Sequence, residues 1–425
     1  MRIISTYENA LPISQADAEV VISTAAALAR RGHDVQVVSP ANPNAPTTNS
    51  EIRDYYGVQG PLRFFVQPPS AWSAALSKVV APTSVLERGR QHITQTLALP
   101  RTFRPANVDL VYTRHFPLAL HALRVGHRVF FDHYRPWGDQ VPPFQLMIRA
   151  MAGHPGFVGM VAHSEVAARA YRRVGIPEAA IQVRHNGFDP ARMEPVLSRE
   201  AARQKLGLNQ DQATVVYTGR VNEKKGLDLV LEMAKSLSDV HFILVGSEGR
   251  GPIEVQAEAL ANVTIIPWQA FSATTPYLYA ADVLIIPPSS APLAQHGSTV
   301  LPLKVYLYLA SGRTIFAGGS PDIREVLNED NACLVQTGQP EAAVTELREL
   351  LADKERLQRL GKGAARTAAS LTWDKRAEKI ETFMEERMEA RHSPLESDWS
   401  AARFASECAG WFGTGVRTRR WIRSA

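Results

Sequence analysis

Apolar residues come in short compact runs along this chain, each separated from the next by a longer amphipathic stretch. MRIIS opens the series as a strand. A helical pattern then runs from Asp17 to Arg31, stops at Gly32, and HDVQVVSP follows as a second strand. Strand, helix and strand at this spacing predict a right-handed crossover between parallel strands. VDLVYT (108–113), HRVFFD (127–132) and FVGMVAHS (157–164) continue the series, and such unbroken apolar runs suit strands covered on both faces. The pattern breaks at NGFDPARMEP (186–195) and starts again with ATVVYTG (213–219), HFILVG (241–246), VTIIPW (263–268), DVLIIPP (282–288) and RTIFAG (313–318). Two doubly wound α/β domains joined near residues 190–200 is the economical prediction. A long polar helical pattern then runs from about Glu341 to Arg391, before a tail holding Trp399, Trp411 and Trp421.

Length agrees with two domains: 425 residues exceed one ordinary core. With 45% hydrophobic and 21% charged residues the composition is globular, neither disordered nor collagen-like. Cys333 and Cys408 fit no disulfide or zinc framework, which points to a reducing, cytoplasmic setting. No apolar run approaches the roughly 18 residues of a membrane span, and MRIIS lacks a signal-peptide layout. A secreted toxin, a channel and a fibre are excluded on this reading.

Charge is unevenly placed. The net formal charge is +5, and residues 1–200 hold 21 Lys+Arg against 15 Asp+Glu; VRTRRWIRSA at the end adds four arginines and no acid. A basic front half attracts an anionic substrate or an anionic membrane face. The arginines are scattered and no nucleic-acid signature accompanies them, so no nucleic-acid partner is expected. Segment 70–104 mixes Trp72, Leu76, Val79, Val80 and Leu86 with basic side chains. It reads either as an ordinary helix with a core face or as an amphipathic surface lying on a membrane.

The most informative stretch is VVYTGRVNEKKGLDLVLEMA (215–234). A buried strand ends at a turn at Gly219, and Arg220 and Lys225 then bracket a loop that opens a helix after Gly226. Two cations beside a helix N-terminus at the carboxyl edge of a parallel strand suit a diphosphate; a charged surface loop is the bland alternative. In the second constellation, PPSSAPLAQHGSTVLPLKVYLYLASGRTIFAGGSPDIREVL (287–327), the amides of Gly297, Ser298 and Thr299 offer close approach to an anion. Ser298 or Thr299 would cap the following helix, Pro302 suits its first turn and Gly312 ends it.

The chain resembles the retaining GT-B glycosyltransferases of family four (the group 1 nucleotide-sugar enzymes). The resemblance is carried in order by ADAEVVISTAAALARRGHDVQVVSP (16–40), VAHSEVAARAYRRVGIPEAAIQVRHNGFD (161–189), YTGRVNEKKGLDLVLEMA (217–234), YLYAADVLIIPPS (277–289), PLKVYLYLASGRTIFA (302–317) and LTWDKRAEKIETFMEE (371–386). It implies two Rossmann-like domains facing across a cleft. Residues 1–195 would form the acceptor side and 196–385 the nucleotide-sugar side, with 386–425 returning to the first domain. Arg220 and Lys225 would neutralise the donor diphosphate without a metal, no Asp-x-Asp motif being present, and no cofactor is expected. His133, in FFDHYRPW, would lie near the transferred sugar. Arg114, His115 and Asp132 would border the acceptor side, together with Ser14, Gln15 and Asp17 from a front loop lacking the family's Gly-Gly. Trp268 would lie near the base, and Asn186–Gly187 would form a turn with positive φ.

Two departures stand out. Both glutamates of the family's E-x7-E motif are replaced, by Thr299 and Leu307, and leucine accepts no hydrogen bond from a ribose hydroxyl. The expected function is a metal-independent retaining transfer of a sugar from a UDP- or GDP-linked donor to an acceptor hydroxyl. The acceptor is open among a saccharide, a lipid-linked and a small-molecule substrate, with peripheral contact at the inner face of an anionic membrane as a further expectation. The alternative is a catalytically degenerate paralogue acting as a binding or accessory subunit; a GT-B epimerase shares the architecture but no motif speaks for it.

Overall fold

The computed structural model describes residues 1–41, 47–68, 103–136, 142–289 and 301–390. It divides into two compact units. Unit 1 holds Met1–Ala162, Ala167–Gln182 and the chain from Ile380 on; unit 2 holds His163–Val166 and Val183–Lys379. Segment 70–104 up to Thr102 and the tryptophan-bearing tail lie outside the described residues, as does the loop with Gly297, Ser298 and Thr299.

Unit 1 is built on strands β1 (Arg2–Thr6), β2 (Asp34–Pro40), β3 (Arg63–Gln67), β4 (Leu110–Thr113), β5 (Val129–His133), β6 (Phe157–Ala162) and β7 (Ile181–Val183), in spatial order 3-2-1-4-5-6-7. Helices α1 (Ala16–Arg30), α2 (Asn49–Tyr56), α3 (Phe116–Arg124), α4 (Pro142–Ala152) and α5 (Glu165–Arg173) connect them. Strand β1 pairs in parallel with β2 through Ile3 and Val35, and with β4 through Ile3 and Leu110. The order therefore reverses between β1 and β4, and the crevice beyond their carboxyl ends is where such sheets take ligands.

Unit 2 repeats the plan with β8 (Thr214–Thr218), β9 (His241–Ser247), β10 (Val263–Pro267), β11 (Val283–Ile286), β12 (Thr314–Gly318) and β13 (Cys333–Val335), in order 10-9-8-11-12-13. Its helices are α6 (Arg199–Leu206), α7 (Leu227–Ser236), α8 (Pro252–Ala257), α9 (Phe271–Ala280), α10 (Lys304–Ser311), α11 (Pro340–Ala352), α12 (Lys354–Ala368) and most of α13 (Trp373–Ala390). Alternation explains the apolar runs. Val215, Tyr217, Phe242, Leu244, Val283 and Ile285 enter one core, whereas Val216, Ile243, Val245, Leu284 and Ile286 enter the other. Each such side chain contributes about 1.5–3 kcal/mol by leaving water, so neither face tolerates a polar run. The switch point here lies between β8 and β11.

The single long helix expected from Glu341 is three helices. Asp353 breaks it first, its carboxylate accepting from the Arg356 N–H at 2.8 Å and capping α12. The second break, at residues 369–372, is a tertiary contact: Phe188 bridges Thr372, and the two segments exchange backbone hydrogen bonds of 3.1 Å. That contact also corrects the reading of Gly187, which is not among the glycines with positive φ. A Cβ there would lie 2.6 Å from the Thr372 carbonyl carbon, so glycine is needed for close approach and not for a left-handed turn. From Ile380 on, α13 belongs to unit 1, where Phe383 meets Phe130 edge to face at 5.9 Å and Arg387 donates to the Val158 carbonyl at 3.0 Å.

Candidate functional site

The carboxyl end of β8 sets the geometry in unit 2. Gly219, at φ 131°, donates its N–H to Val245 O at 2.9 Å, and the Val221 N–H donates to Gly246 O at 3.2 Å. Gly246 is pressed so near that a Cβ would stand 2.5 Å from the Gly219 carbonyl oxygen. Two facing glycines thus let the chain turn sharply off the strand. The Tyr217 hydroxyl fixes the turn by donating to Arg220 O at 3.0 Å. Gly226, at φ 70°, starts α7 with no side-chain cap, and a Cβ on it would collide with Ser289, three residues past β11.

Three cations gather at this edge. Arg220 pairs with Glu248 at 3.4 Å, both largely exposed. Lys225 is pushed below the ordinary lysine value by burial and then by the Arg220 guanidinium. Lys304, on the first turn of α10, holds its Nζ 3.5 Å from the centroid of the Tyr217 ring. Burial, followed by Lys225, holds it well below the ordinary lysine value. Among the described residues neither lysine pairs with a carboxylate. Basic groups that lack an acid partner and disfavour one another's charge at a strand end form a place for an anion.

Other predicted donor residues are spread along the same sheet. Trp268 follows β10, is 47% exposed, and its backbone N–H donates to Ser247 O at 2.8 Å at the end of β9. An open indole there is available for stacking. Leu307 packs partly buried against one of the two cores.

In unit 1 the reversal between β1 and β4 brings Glu8, Asp17 and Arg114 together. The Arg114 guanidinium lies 3.8 Å from Glu8 Oε1 and 3.7 Å from Asp17 Oδ2, donates to Asp17 O at 3.4 Å, and stacks 4.7 Å from the Tyr134 ring centroid. Burial works against the Arg114 charge, but Glu8 and Asp17 outweigh it and its pKa rises. Burial pushes the Glu8 carboxyl up, with Arg114 opposing, and among the described residues its buried Oε2 has no hydrogen-bond partner. The Tyr7 hydroxyl stands 3.2 Å from both Gln15 Oε1 and Asp17 Oδ1, so its one proton serves one acceptor at a time. Tyr56 pins the same loop through both backbone groups of Ile13, at 2.9 and 2.7 Å. Ser14 is exposed on it.

The remaining predicted residues have local work. His115 caps α3, its Nδ1 accepting from the Leu118 N–H at 3.3 Å. Asp132 accepts from the Tyr112 hydroxyl at 2.5 Å. His133, at the end of β5, is buried among Phe116, Phe131, Tyr134 and Tyr171, with the Tyr171 hydroxyl 2.6 Å from its Nδ1 and the Arg135 N–H at 3.3 Å. The Arg135 carbonyl oxygen also lies 3.1 Å from Nδ1, so donors and an acceptor compete at that nitrogen. His163 and His185 fix a loop in unit 2: His185 Nδ1 lies 2.9 Å from His163 O, and Asn186 Nδ2 lies 3.1 Å from His163 Nδ1.

Sequence reading missed Glu8, Tyr7, Tyr217 and Lys304. Lys304 stood inside the motif PLKVYLYLASG, and its place two residues after Pro302 at a helix start was the available signal.

Residues 18–192 match the model of Glycosyltransferase Family 4, and residues 198–367 match that of Glycosyl transferases group 1. The chain is built of two glycosyltransferase family domains. Strands β8, β9, β10, β11, β12 and β13 lie in the group 1 domain; Asp17 and Glu8 fall just before the family 4 match, which includes Arg114 and His133. A D-inositol 3-phosphate glycosyltransferase from Xylanimonas cellulosilytica is 28% identical over 200 residues, 45% of this chain and 46% of the relative. The namesake from Mycobacterium tuberculosis is 28% identical over 213 residues, 47% of this chain and 42% of its own length. The chain thus spans less than half the length of these relatives. Among solved structures, sucrose-phosphate synthase from Thermosynechococcus elongatus superposes with a TM-score of 0.72 at 16% identity, covering 92% of this chain and all of the other. Anabaena HepE in complex with UDP-glucose gives 0.65 at 15%, covering 91% and 100%. The fold is that of the GT-B glycosyltransferases, α/β with two Rossmann-like doubly wound units.

Among the described residues no three of His, Cys, Asp and Glu converge as metal ligands, and no helix is long and apolar enough to cross a membrane.

Proposed function

We propose that the chain is a retaining glycosyltransferase that moves a sugar from a nucleotide-sugar donor to an acceptor hydroxyl without a metal. One observation carries the reading: Arg220 and Lys225 stand at the β8/β11 switch point, beside the uncapped start of α7, and Lys225 has no acid partner among the described residues. The donor's diphosphate supplies the missing negative charge there. The glycosyltransferase activity of the relatives fits a sugar transfer, and the UDP-glucose in HepE fits a nucleotide-sugar donor.

In the step itself the bond between the anomeric carbon and the leaving phosphate oxygen breaks, and the acceptor oxygen bonds to that carbon on the same face. The acceptor's proton goes to the leaving phosphate, so no carboxylate nucleophile is needed. Arg220 and Lys225 stabilise the charge that grows on the departing nucleoside diphosphate. Acceptor hydroxyls are assigned to Glu8, Asp17 and Arg114, because the buried Glu8 Oε2, which has no partner among the described residues, calls for an O–H donor. His133 is assigned to the transferred sugar on the strength of the resemblance alone.

Calorimetric titration with UDP, GDP, ADP and TDP, first without metal and then with magnesium, tests the reading. Metal-free binding of one of them, lost in Arg220→Ala and Lys225→Ala, is the expected result, followed by transfer from the matching nucleotide sugar. Binding of none of the four overturns it. Binding without any hydrolysis or transfer leaves the accessory-subunit reading, which the replacement of both motif glutamates favours.

A further inference from the structure

Arg220 and Lys225 do not account for the third cation at the end of β8. The Nζ of Lys304 sits on the face of Tyr217, 3.5 Å from the ring centroid, and a Cβ on Gly219 would come within 2.9 Å of it. It therefore lies over the same tight turn that leads to Arg220. Tyr308, one turn along α10, receives the Thr218 N–H at 2.8 Å and clamps the helix to the strand end. The placement of Lys304 is thus built into the fold.

The groups that face it are Lys225 from the turn before α7 and Tyr217 on β8, with Arg220 behind Lys225. Glu248 is taken up by Arg220. Helices α9 and α12, strand β12 and the short turn Pro190–Met193, which pack against α10, bring no carboxylate to Lys304 among the described residues. An aromatic face softens the cost of holding a cation but does not neutralise it.

We propose that Lys304 is a third ligand of the donor's diphosphate and takes up a proton from solvent as that anion enters. This deepens the donor-site reading and rests on it. Burial and then Lys225 disfavour the charged form of Lys304. An incoming dianion reverses the balance, so the bound state holds more protons than the free state, and affinity falls with rising pH by up to about tenfold per unit. Donor capture and proton uptake are thereby linked, and release of the nucleoside diphosphate returns the proton.

The test is calorimetry with UDP, GDP, ADP and TDP at about pH 8.5, in two buffers of different ionisation enthalpy. Terminal phosphates, with a second pKa of roughly 6, are fully ionised there, so any uptake belongs to the protein. Expected are a buffer-dependent heat in the wild type, its loss in Lys304→Met with about 10- to 100-fold weaker binding, and binding without uptake in Lys304→Arg. A buffer-independent heat in the wild type overturns the proposal, as does a Lys304→Met protein with unchanged affinity and uptake. Uptake that survives Lys304→Met and vanishes in Lys225→Met assigns the proton to Lys225 and overturns it too. Should Lys304→Met fail to fold, wild-type affinity from about pH 7.5 to 9.5 decides: a fall supports the proposal and a flat profile refutes it. Absence of binding by all four nucleotides, in contrast, defeats the donor-site reading itself.

Discussion

The Thr218 N–H donates to the Tyr308 hydroxyl at 2.8 Å, and both groups are buried. A backbone donor at the end of β8 thus depends on a side chain from α10, the helix that begins with Lys304. Tyr308→Phe leaves that N–H without a partner and is expected to cost about 1–3 kcal/mol. Denaturant unfolding measures the loss. Nucleotide affinity should drop alongside it, because the helix bearing Lys304 is no longer tied to the strand.

Removing either proposed diphosphate cation should weaken nucleotide binding without unfolding the protein. Arg220 is 44% exposed and Lys225 lies on a one-turn loop, so neither supports a core. Each charge-assisted hydrogen bond contributes roughly 1.5–3 kcal/mol, which is about 10- to 100-fold in affinity. Calorimetry on Arg220→Ala and Lys225→Ala checks the magnitude, and an unchanged melting temperature checks the claim about the core.

Gly246→Ala should disrupt the site from a distance. Its Cβ would stand 2.5 Å from the Gly219 carbonyl oxygen, at a φ of +118° that side chains rarely adopt. Strain of about 1–3 kcal/mol is expected in unfolding. Gly32→Ala, at φ +94° with nothing within 4 Å, carries the backbone strain without the collision. Nucleotide binding should fall in the first variant and hold in the second.

Glu8 predicts a pH dependence. Burial raises its folded pKa above the ordinary 4.5, so the stability it contributes is fully present below that value. It is lost as pH rises through the folded pKa, because the charged form is penalised in the fold. The difference in unfolding free energy between wild type and Glu8→Gln should therefore change as pH climbs from about 4.5. A constant difference between pH 4 and 8 would remove the assignment. If Glu8 also meets acceptor hydroxyls, Glu8→Gln raises the acceptor's KM and leaves nucleotide affinity unchanged.

Much was legible in the sequence because it depends on local periodicity. Buried parallel strands read as apolar runs, and all five of the second series form strands in the group 1 domain. Less local features failed. Strands β7 and β13, of three residues each, are too short to show a period, and β3 is an edge strand whose run RFFVQ begins and ends in polar residues. Asp353 was a visible helix cap inside a longer helical pattern, whereas the break at residues 369–372 depends on Phe188, far away along the chain.

The sequence by itself determined the α/β class, the order of its strands along the chain, and the loop that puts Arg220 and Lys225 beside a helix start. These follow from hydrophobic period, glycine placement and charge within a few residues. Only the tertiary structure decided which distant groups join them. Lys304 meets Tyr217 across 87 positions because β8 and β11 are neighbours in the sheet and α10 packs over their ends. Glu8 meets Arg114 because β1 and β4 pair with the whole of β2 and β3 looped out to one side. A one-dimensional pattern records what each residue prefers; the sheet's strand order decides whose charge it must answer to.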